Sequence, residues 1–220
     1  MAGNVGNFQK KSIVAFRDKL IGGGARSNLF EVNISLPTGV EDPSGRYGED
    51  IRFMTKAAEI PAANIGNIPV PFRGRVLPIA GDRTFDPWTV TIINDQTFNL
   101  RSVFEQWSNK INDLRFAGGD VNPADYQTKA EVFQLGRNAA SLQNSGNDMN
   151  AGDPIPILRI YNFEGIYPNA VSSIPLDYGA TDQIEEFQVT FNYLFWTVEG
   201  GVKSIAGTPK PERTGTFTQA

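Results

Sequence analysis

The sequence lacks cysteine and histidine altogether, and both absences exclude chemistry. Without cysteine the chain can form no disulfide, no thiolate metal site and no cysteine nucleophile. Without histidine it has neither the usual general base near neutral pH nor the commonest metal ligand. Any catalysis would therefore have to use other groups, such as a pair of carboxylates.

Long apolar runs and an excess of positive charge are also missing. No run approaches the roughly 20 apolar residues that a membrane-spanning helix needs, and Met1–Lys11 is too polar for a signal peptide. The net charge is −4, so the chain as a whole has no basic surface for nucleic acid. We therefore expect no membrane insertion and a cytosol-like place of synthesis.

The composition that is present favours β structure. The 220 residues include 22 glycines and 14 prolines, which separate many short apolar runs. Such a pattern is typical of a β-rich domain, and this length can bury a sizeable core without disulfides. We predict a mainly β (α+β) fold with one good helix.

Alternation of apolar and polar residues predicts the strands. It is clearest in Asn28–Leu36 and Gln183–Val198, each with one apolar and one polar face. Further strands are predicted at 51–57, 68–72, 88–93, 126–135, 155–163 and 170–176. Prolines in 68–72 cannot donate to a central ladder, which places that segment at a sheet edge. Charge-rich Ala80–Thr84 and glycine-containing Gly165–Pro168 are predicted turns.

One amphipathic helix is predicted from about Thr97 to Asn112. Its apolar stripe comprises Leu100, Phe104, Trp107 and Ile111. Asn94 and Asp95 precede it and offer side-chain oxygens to the free N–H groups of the first turn. A helix with such a stripe needs a sheet to cover.

Three segments fit the domain less well. Ser12 could cap a short helix in the basic N-terminal segment, which favours either an acidic neighbour or simply a solvated face. Arg137–Asp153 is polar and rich in Asn and Gly, as in a long surface loop. Glu199–Ala220 shows no periodicity and is predicted to be a flexible tail. The predicted divisions are an arm at 1–27, a β domain at 28–198 with a loop insertion at 137–153, and a tail at 199–220.

Three aspartates are the only candidate catalytic cluster. Asp82, Asp86 and Asp95 lie close in sequence, and a carboxylate pair such as Asp82 and Asp95 could hydrolyse a glycoside. Aspartate is equally typical of turns and helix caps, which is the interpretation we favour. Trp88 and Trp107 could stack on a sugar, but both fall on apolar faces. We predict no catalytic residue, metal or cofactor.

Several motifs resemble the tail tube proteins of contractile-tailed bacteriophages. The most specific is AGDRTF at 80–85, followed by WTVT at 88–91 and by Asn94-Asp95. The resemblance extends over about Asn28 to Val198. Its other parts are NLFEVNIS at 28–35, KA at 56–57, IPA at 60–62, IPV at 68–70, Arg101 and Trp107 in the helix, GIYP at 165–168, LD at 176–177 and IEEFQVT at 184–190.

The resemblance implies a structural protein whose fold is an antiparallel β-sandwich with one flanking α-helix. In that family six copies join their sheets into a ring-shaped β-barrel, and stacked rings form the inner tube inside the sheath. The implied partners are further copies of the chain, the tail sheath protein, baseplate and tail terminator proteins, the tape-measure protein in the lumen, and DNA that passes without specific binding. The implied location is the virion tail, assembled in the host cytoplasm.

Two residue sets follow from combining this resemblance with the strand faces. The polar faces of the two clearest strands are expected to line the lumen: Glu31, Asn33, Ser35, Glu186, Gln188, Thr190 and Asn192. Residues expected to support the fold or the ring interface are Gly81, Asp82, Arg83, Trp88, Asp95 and Trp107. Arg83 is expected to pair with Asp82 or with a carboxylate of a neighbouring copy. The inner tube of a related injection system and a monomeric carbohydrate-binding β-sandwich remain alternatives.

Overall fold

A computed structural model describes residues 12–20, 24–116, 118–137 and 156–204. The chain divides into two compact units. The main unit contains Phe30–Phe133 and Arg159–Gly200. The smaller unit contains the remaining segments, Met1–Leu29, Gln134–Leu158 and Gly201–Ala220.

The described residues contain nine strands and four helices, joined by loops. The strands are β1 (Phe30–Ile34), β2 (Thr55–Ala58), β3 (Asn64–Phe72), β4 (Arg75–Thr84), β5 (Trp88–Ile93), β6 (Thr128–Leu135), β7 (Pro156–Val171), β8 (Glu186–Asn192) and β9 (Phe195–Ser204). The helices are α1 (Ile13–Lys19), α2 (Tyr47–Met54), α3 (Asn99–Ile111) and α4 (Pro123–Tyr126). None of the helices in these ranges is long and apolar enough to span a membrane.

Seven of the strands form one sheet in the order β1-β6-β7-β8-β5-β2, and β9 also pairs with β7. The pairs β2–β5, β5–β8 and β7–β8 are antiparallel. The two end strands, β1 and β2, lie close to each other, so the sheet curls around the hydrophobic core. Strands β3 and β4 form a separate antiparallel hairpin. The prediction of a mainly antiparallel β fold with a flanking helix is confirmed.

The core lies between the concave face of this sheet and α3. Phe104 and Trp107 of α3 pack on Phe191 of β8, with ring centroids 5.9 and 6.1 Å apart. Trp88 of β5 stacks on Phe163 of β7 at 4.4 Å. Trp88 also packs on Phe191 at 5.6 Å, so these aromatic contacts connect α3 with three strands and help to bury its apolar stripe.

The predicted cap of α3 is confirmed for Asp95 and was wrong for Asn94, whose side-chain amide instead donates to Glu185 at 2.9 Å. The Asp95 carboxylate accepts the N–H groups of Asn99 and Leu100 at 3.0 and 3.2 Å, and it also accepts the Thr97 hydroxyl. Burial raises the pKa of Asp95, but these hydrogen bonds outweigh burial and the pKa is lowered overall. Ser12 likewise caps α1, accepting the Ala15 N–H at 3.1 Å.

The predicted strand at 51–57 was wrong over its first half. Residues Tyr47–Met54 form α2, and β2 begins only at Thr55. Asp42 accepts the Tyr47 N–H at 2.8 Å and so supports the start of α2 from outside it. Tyr47 and Ile51, four residues apart, are both buried. The spacing is therefore helical, and the alternation at 51–55 was a coincidence of a short window.

The predicted turn at Ala80–Thr84 was also wrong, because these residues are the end of β4. The hairpin turns at Arg73-Gly74 instead, with φ values of +46° and +82°. Positive φ at both central residues is the geometry of a type I′ turn, whose twist suits a two-residue hairpin loop.

The boundaries of the last strands differ from prediction as well. Strand β7 runs through Gly165–Pro168 instead of turning there, and Gly165 takes a φ of +66° within it. The predicted strand Gln183–Val198 is interrupted after Asn192, because β8 and β9 pair with different halves of β7. Residues 199–204 belong to β9 and not to a tail. Segments 138–153 and 205–220, for which a loop and a tail were predicted, lie outside the described residues.

Asp95→Ala is expected to lower the free energy of unfolding by about 1 kcal/mol at pH 7, the usual effect of losing a capping oxygen. The folded-state pKa of Asp95 is lowered, so its stabilisation is complete above the ordinary aspartate pKa. It is lost as the pH falls through the lowered value. Urea unfolding at pH 7 and at about pH 3 should therefore show the difference between the wild type and Asp95→Ala narrowing in acid.

Asp95→Asn is the matched control, since asparagine keeps an acceptor oxygen but cannot titrate. It should retain most of the stability at pH 7. A destabilisation by Asp95→Ala that stays constant with pH would rule out a role for the ionised carboxylate.

Candidate functional site

The side of the sheet that faces away from the core is polar. In β8, Glu186, Gln188, Thr190 and Asn192 alternate with buried Phe187, Val189 and Phe191. In β1, Glu31 and Asn33 alternate with buried Val32 and Ile34. Ser35 follows β1 and is exposed. The residues predicted to face a lumen therefore share the side of the sheet opposite to the core.

Strands β6 and β7 join these two groups into one surface. Asn33 Nδ2 donates to Glu131 of β6 at 3.2 Å. Lys129 of β6 pairs with Glu164 of β7 at 3.1 Å. We call the combined surface the polar face: Glu31, Asn33, Ser35, Lys56, Thr89, Thr91, Lys129, Glu131, Asn162, Glu164, Glu186, Gln188, Thr190 and Asn192.

Contacts continue across the polar face to the far edge of the sheet. Asn192 Nδ2 donates to the Tyr167 hydroxyl at 3.3 Å, and the hydroxyls of Thr89 and Thr190 lie 3.2 Å apart. Lys56 of β2 pairs with Glu186 at 2.5 Å. The polar face thus presents carboxylates, amides and hydroxyls, and its two lysines, Lys56 and Lys129, both lie in ion pairs.

Sequence reasoning missed Lys56, Lys129, Glu131 and Glu164 as members of this surface. The alternation around buried Ala130 and Val132 would have assigned Lys129 and Glu131 to the polar side of β6. Nothing in the sequence could have paired Lys56 with Glu186, because they are 130 residues apart. That pairing requires the order of the strands.

A second candidate surface is the hairpin formed by β3 and β4. Every residue of its two strands is exposed except Gly81, which is half-buried. Cross-strand pairs Ile68–Ile79 and Val70–Leu77 share one side with Phe72, and Pro69–Pro78 and Pro71–Val76 share the other. Both sides are therefore apolar, and Leu77 and Phe72 are 58% and 65% exposed. A two-stranded hairpin without a covering partner is marginal in water.

Hydrogen bonds hold the base of the hairpin. Trp88 Nε1 donates to the Glu59 carbonyl at 2.8 Å, and Trp196 Nε1 donates to the Ala62 carbonyl at 3.3 Å. Asn64 is the first residue of β3, and its side-chain amide donates to the carboxylate of Asp86, which lies just beyond the end of β4. The hairpin therefore leaves the sheet from a fixed base although its strands are uncovered.

The residues predicted to support the fold or an interface fall into two groups. Gly81, Asp82 and Arg83 lie in β4 of the hairpin, whereas Trp88, Asp95 and Trp107 serve the core and the α3 cap. A Cβ on Gly81 would lie 3.3 Å from the Gly66 backbone, so this close approach of two strands favours glycine. Asp82 and Arg83 are successive strand residues and project to opposite sides, which disfavours their mutual pairing.

Two of the three aspartates considered for hydrolysis accept structural hydrogen bonds, and the third is exposed on the hairpin. Asp95 caps α3, and Asp86 accepts from Asn64. Asp82 is exposed on β4. Within the described ranges, no three acidic side chains are grouped so as to hold a metal ion.

Comparison with known proteins identifies close sequence relatives. A family model described as "Phage tail tube protein" matches residues 25–199. The chain is 32% identical over 178 residues to the tail tube protein gp19 of Enterobacteria phage T4, which covers 78% of this chain and 90% of that protein. It is 26% identical over 172 residues to the tail tube protein of Serratia phage KSP90, with 78% and 87% covered.

Solved structures show the same fold at low identity. A chain from the baseplate of the anti-feeding prophage gives a TM-score of 0.53 at 13% identity, covering 80% of this chain and 95% of that one. A chain from the sheath/tube terminator of an extracellular contractile injection system gives a TM-score of 0.51 at 10% identity, covering 80% and 96%.

Trp196→Phe is expected to loosen the hairpin without much effect on the core. It removes one neutral hydrogen bond, which is worth about 0.5–1.5 kcal/mol, and it keeps an aromatic ring. Amide hydrogen exchange should therefore accelerate in residues 59–72, while the global free energy of unfolding falls by no more than that amount.

Trp107→Phe is the matched control, because it also removes an indole donor, here to the Tyr126 carbonyl at 2.8 Å. Trp107 is fully buried, so this variant should lower global stability by roughly 1–3 kcal/mol and leave exchange in the hairpin unchanged relative to the rest. Equal exchange profiles in the two variants would disprove the role of Trp196.

Proposed function

The chain belongs to the phage tail tube protein family, which makes it a structural component of a virion tail, and we propose that it assembles as stacked six-membered rings into the inner tube of a contractile tail. The observation that carries the proposal is the hairpin of β3 and β4, which is apolar on both sides and uncovered. Such a surface in a soluble subunit indicates a protein interface.

Assembly would satisfy the hairpin in two ways. Its apolar side chains would be covered by a second copy, and its strand edges would pair with the neighbour's sheet. Closing a ring of subunits into one barrel leaves no free edge, which removes the risk of uncontrolled strand pairing. The fixed base of the hairpin supports this function, because a ring closes only if each subunit presents its interface at the same angle.

The polar face is proposed to line the lumen, including Glu31, Asn33, Ser35 and the polar side of β8. A conduit for DNA should not hold phosphates, since every lysine or arginine contact releases counterions and adds affinity. Carboxylates, amides and hydroxyls give a hydrated wall. The ion pairs of Lys56 and Lys129 support this assignment.

Other partners follow from the family and from the assemblies that contain similar folds. We propose contacts with the tail sheath, baseplate and tail terminator proteins outside or at the ends of the tube, and with the tape-measure protein and DNA inside it. Residues 28–204, which include all of β9, would form the tube domain, whereas 1–27, 137–153 and 205–220 would contact stacked rings or the sheath. The protein has no catalytic role in this proposal and is assembled in the host cytoplasm.

An inner tube of a related contractile injection system is the second candidate. The folds shared with the anti-feeding prophage and the extracellular injection system favour it. The sequence relatives are phage proteins, which favours the phage tail. Capsid and packaging genes beside the gene for this chain would indicate a phage, whereas an effector gene and an unfoldase gene would indicate a secretion system.

Electron microscopy of the purified protein tests the assembly directly. We expect tubes whose end views show six-fold rings. Leu77→Lys should abolish them, because it places a charge on the apolar side of the hairpin, and burying it on assembly would be costly. The free energy of unfolding of the subunit should hardly change, because Leu77 is 58% exposed.

Leu77→Met is the control, since it preserves apolar volume and should still assemble. If the wild-type protein stays entirely monomeric at high concentration, both with and without sheath protein, that result would contradict the proposed function.

A further inference from the structure

Both lysines of the polar face meet a glutamate from another strand. Lys129 of β6 lies 3.1 Å from Glu164 on the adjacent strand β7. Lys56 of β2 reaches past β5 to Glu186 of β8, at 2.5 Å. The lysine side chains are 69% and 54% exposed, so both ammonium groups would otherwise be open to a passing anion.

We propose that Glu164 and Glu186 mask Lys129 and Lys56, so that the polar face does not retain the phosphates of duplex DNA. This inference rests on the proposed function and assigns these two glutamates to passage, not to stability. Each glutamate places a negative charge within ion-pair distance of a lysine, so neither of these two lysines presents a net positive charge to a phosphate.

Energetics support a role other than stabilisation. Ion pairs this exposed contribute little to folding, because water screens the attraction and ordering two long side chains costs entropy. Yet both pairs join residues of different strands on the same face, where the proposed cargo is a polyanion. In DNA binding a free lysine matters more, because each phosphate contact releases a counterion and contributes about 0.9 to the slope of log K against log salt.

Lys56 also has a reason to remain a lysine. Strand β2 is an end strand of the sheet, and charged lysines on such strands oppose unwanted strand pairing. Glu186 would allow this lysine to protect the edge without making the surface adhesive to DNA.

The test is a binding titration of fluorescent duplex DNA with the full chain at several salt concentrations. The double variant Glu164→Gln/Glu186→Gln should bind more tightly than the wild type, with a steeper slope by about 1 to 2 in log K against log salt. Adding Lys56→Gln and Lys129→Gln to that variant should return binding to the wild-type level.

A matched control removes the same charge elsewhere. Glu41→Gln/Glu49→Gln changes two exposed glutamates that take part in none of the ion pairs among the described residues. It should leave the slope unchanged. An equal increase in this control would reduce the effect to net charge and overturn the proposal, as would unchanged binding by Glu164→Gln/Glu186→Gln.

The outcome is separable from that of the proposed function. Tubes in electron micrographs combined with unchanged DNA binding by the double variant would leave the tube function standing and reject the masking. If the wild type forms no tubes, the tube function fails, and the titration on soluble subunits still decides whether the glutamates mask the lysines.

Discussion

The packing of β8 against α3 is the constraint on which the rest depends. Phe187, Val189 and Phe191 are fully buried, and Phe104 of α3 lies between the first and the last of them. Side chains alternate along a strand with a period of two, so fixing the buried side also fixes the opposite side. The core therefore determines the polar face, and a register shift of one residue would destroy both together.

Among the described strands, the hairpin is where sequence and surroundings disagree most. In β8 and over most of β5 the apolar side chains are buried and the polar ones lie on the opposite side, as expected of a sequence that specifies one fold. In β3 and β4 apolar residues occupy both sides and remain exposed. Local inconsistency of this kind marks a surface completed by another molecule. Membership in the tail tube family makes further copies the natural partner.

Periodicity correctly predicted those helices and strands that bury one face completely. Such patterns predicted the apolar stripe of α3, the cap at Asp95 and the buried side of β8. Prediction failed where a short window fitted two periods, as in α2, and where charge concealed a strand, as at Ala80–Thr84. The polar face could be predicted only in pieces, because its continuity depends on strand order, which pairs Lys56 with Glu186.

The two surfaces have opposite physical requirements within one strand architecture. In the proposed ring the hairpin has to adhere to a neighbour, and it exposes apolar side chains and unpaired strand edges. In the proposed tube the polar face has to release the DNA that touches it, and its two lysines lie in ion pairs with glutamates. Neither property contributes much to the stability of the subunit, because both surfaces are exposed. The proposal therefore assigns stability, adhesion and passage to different residues, and it predicts that a substitution can impair one of them while the other two remain.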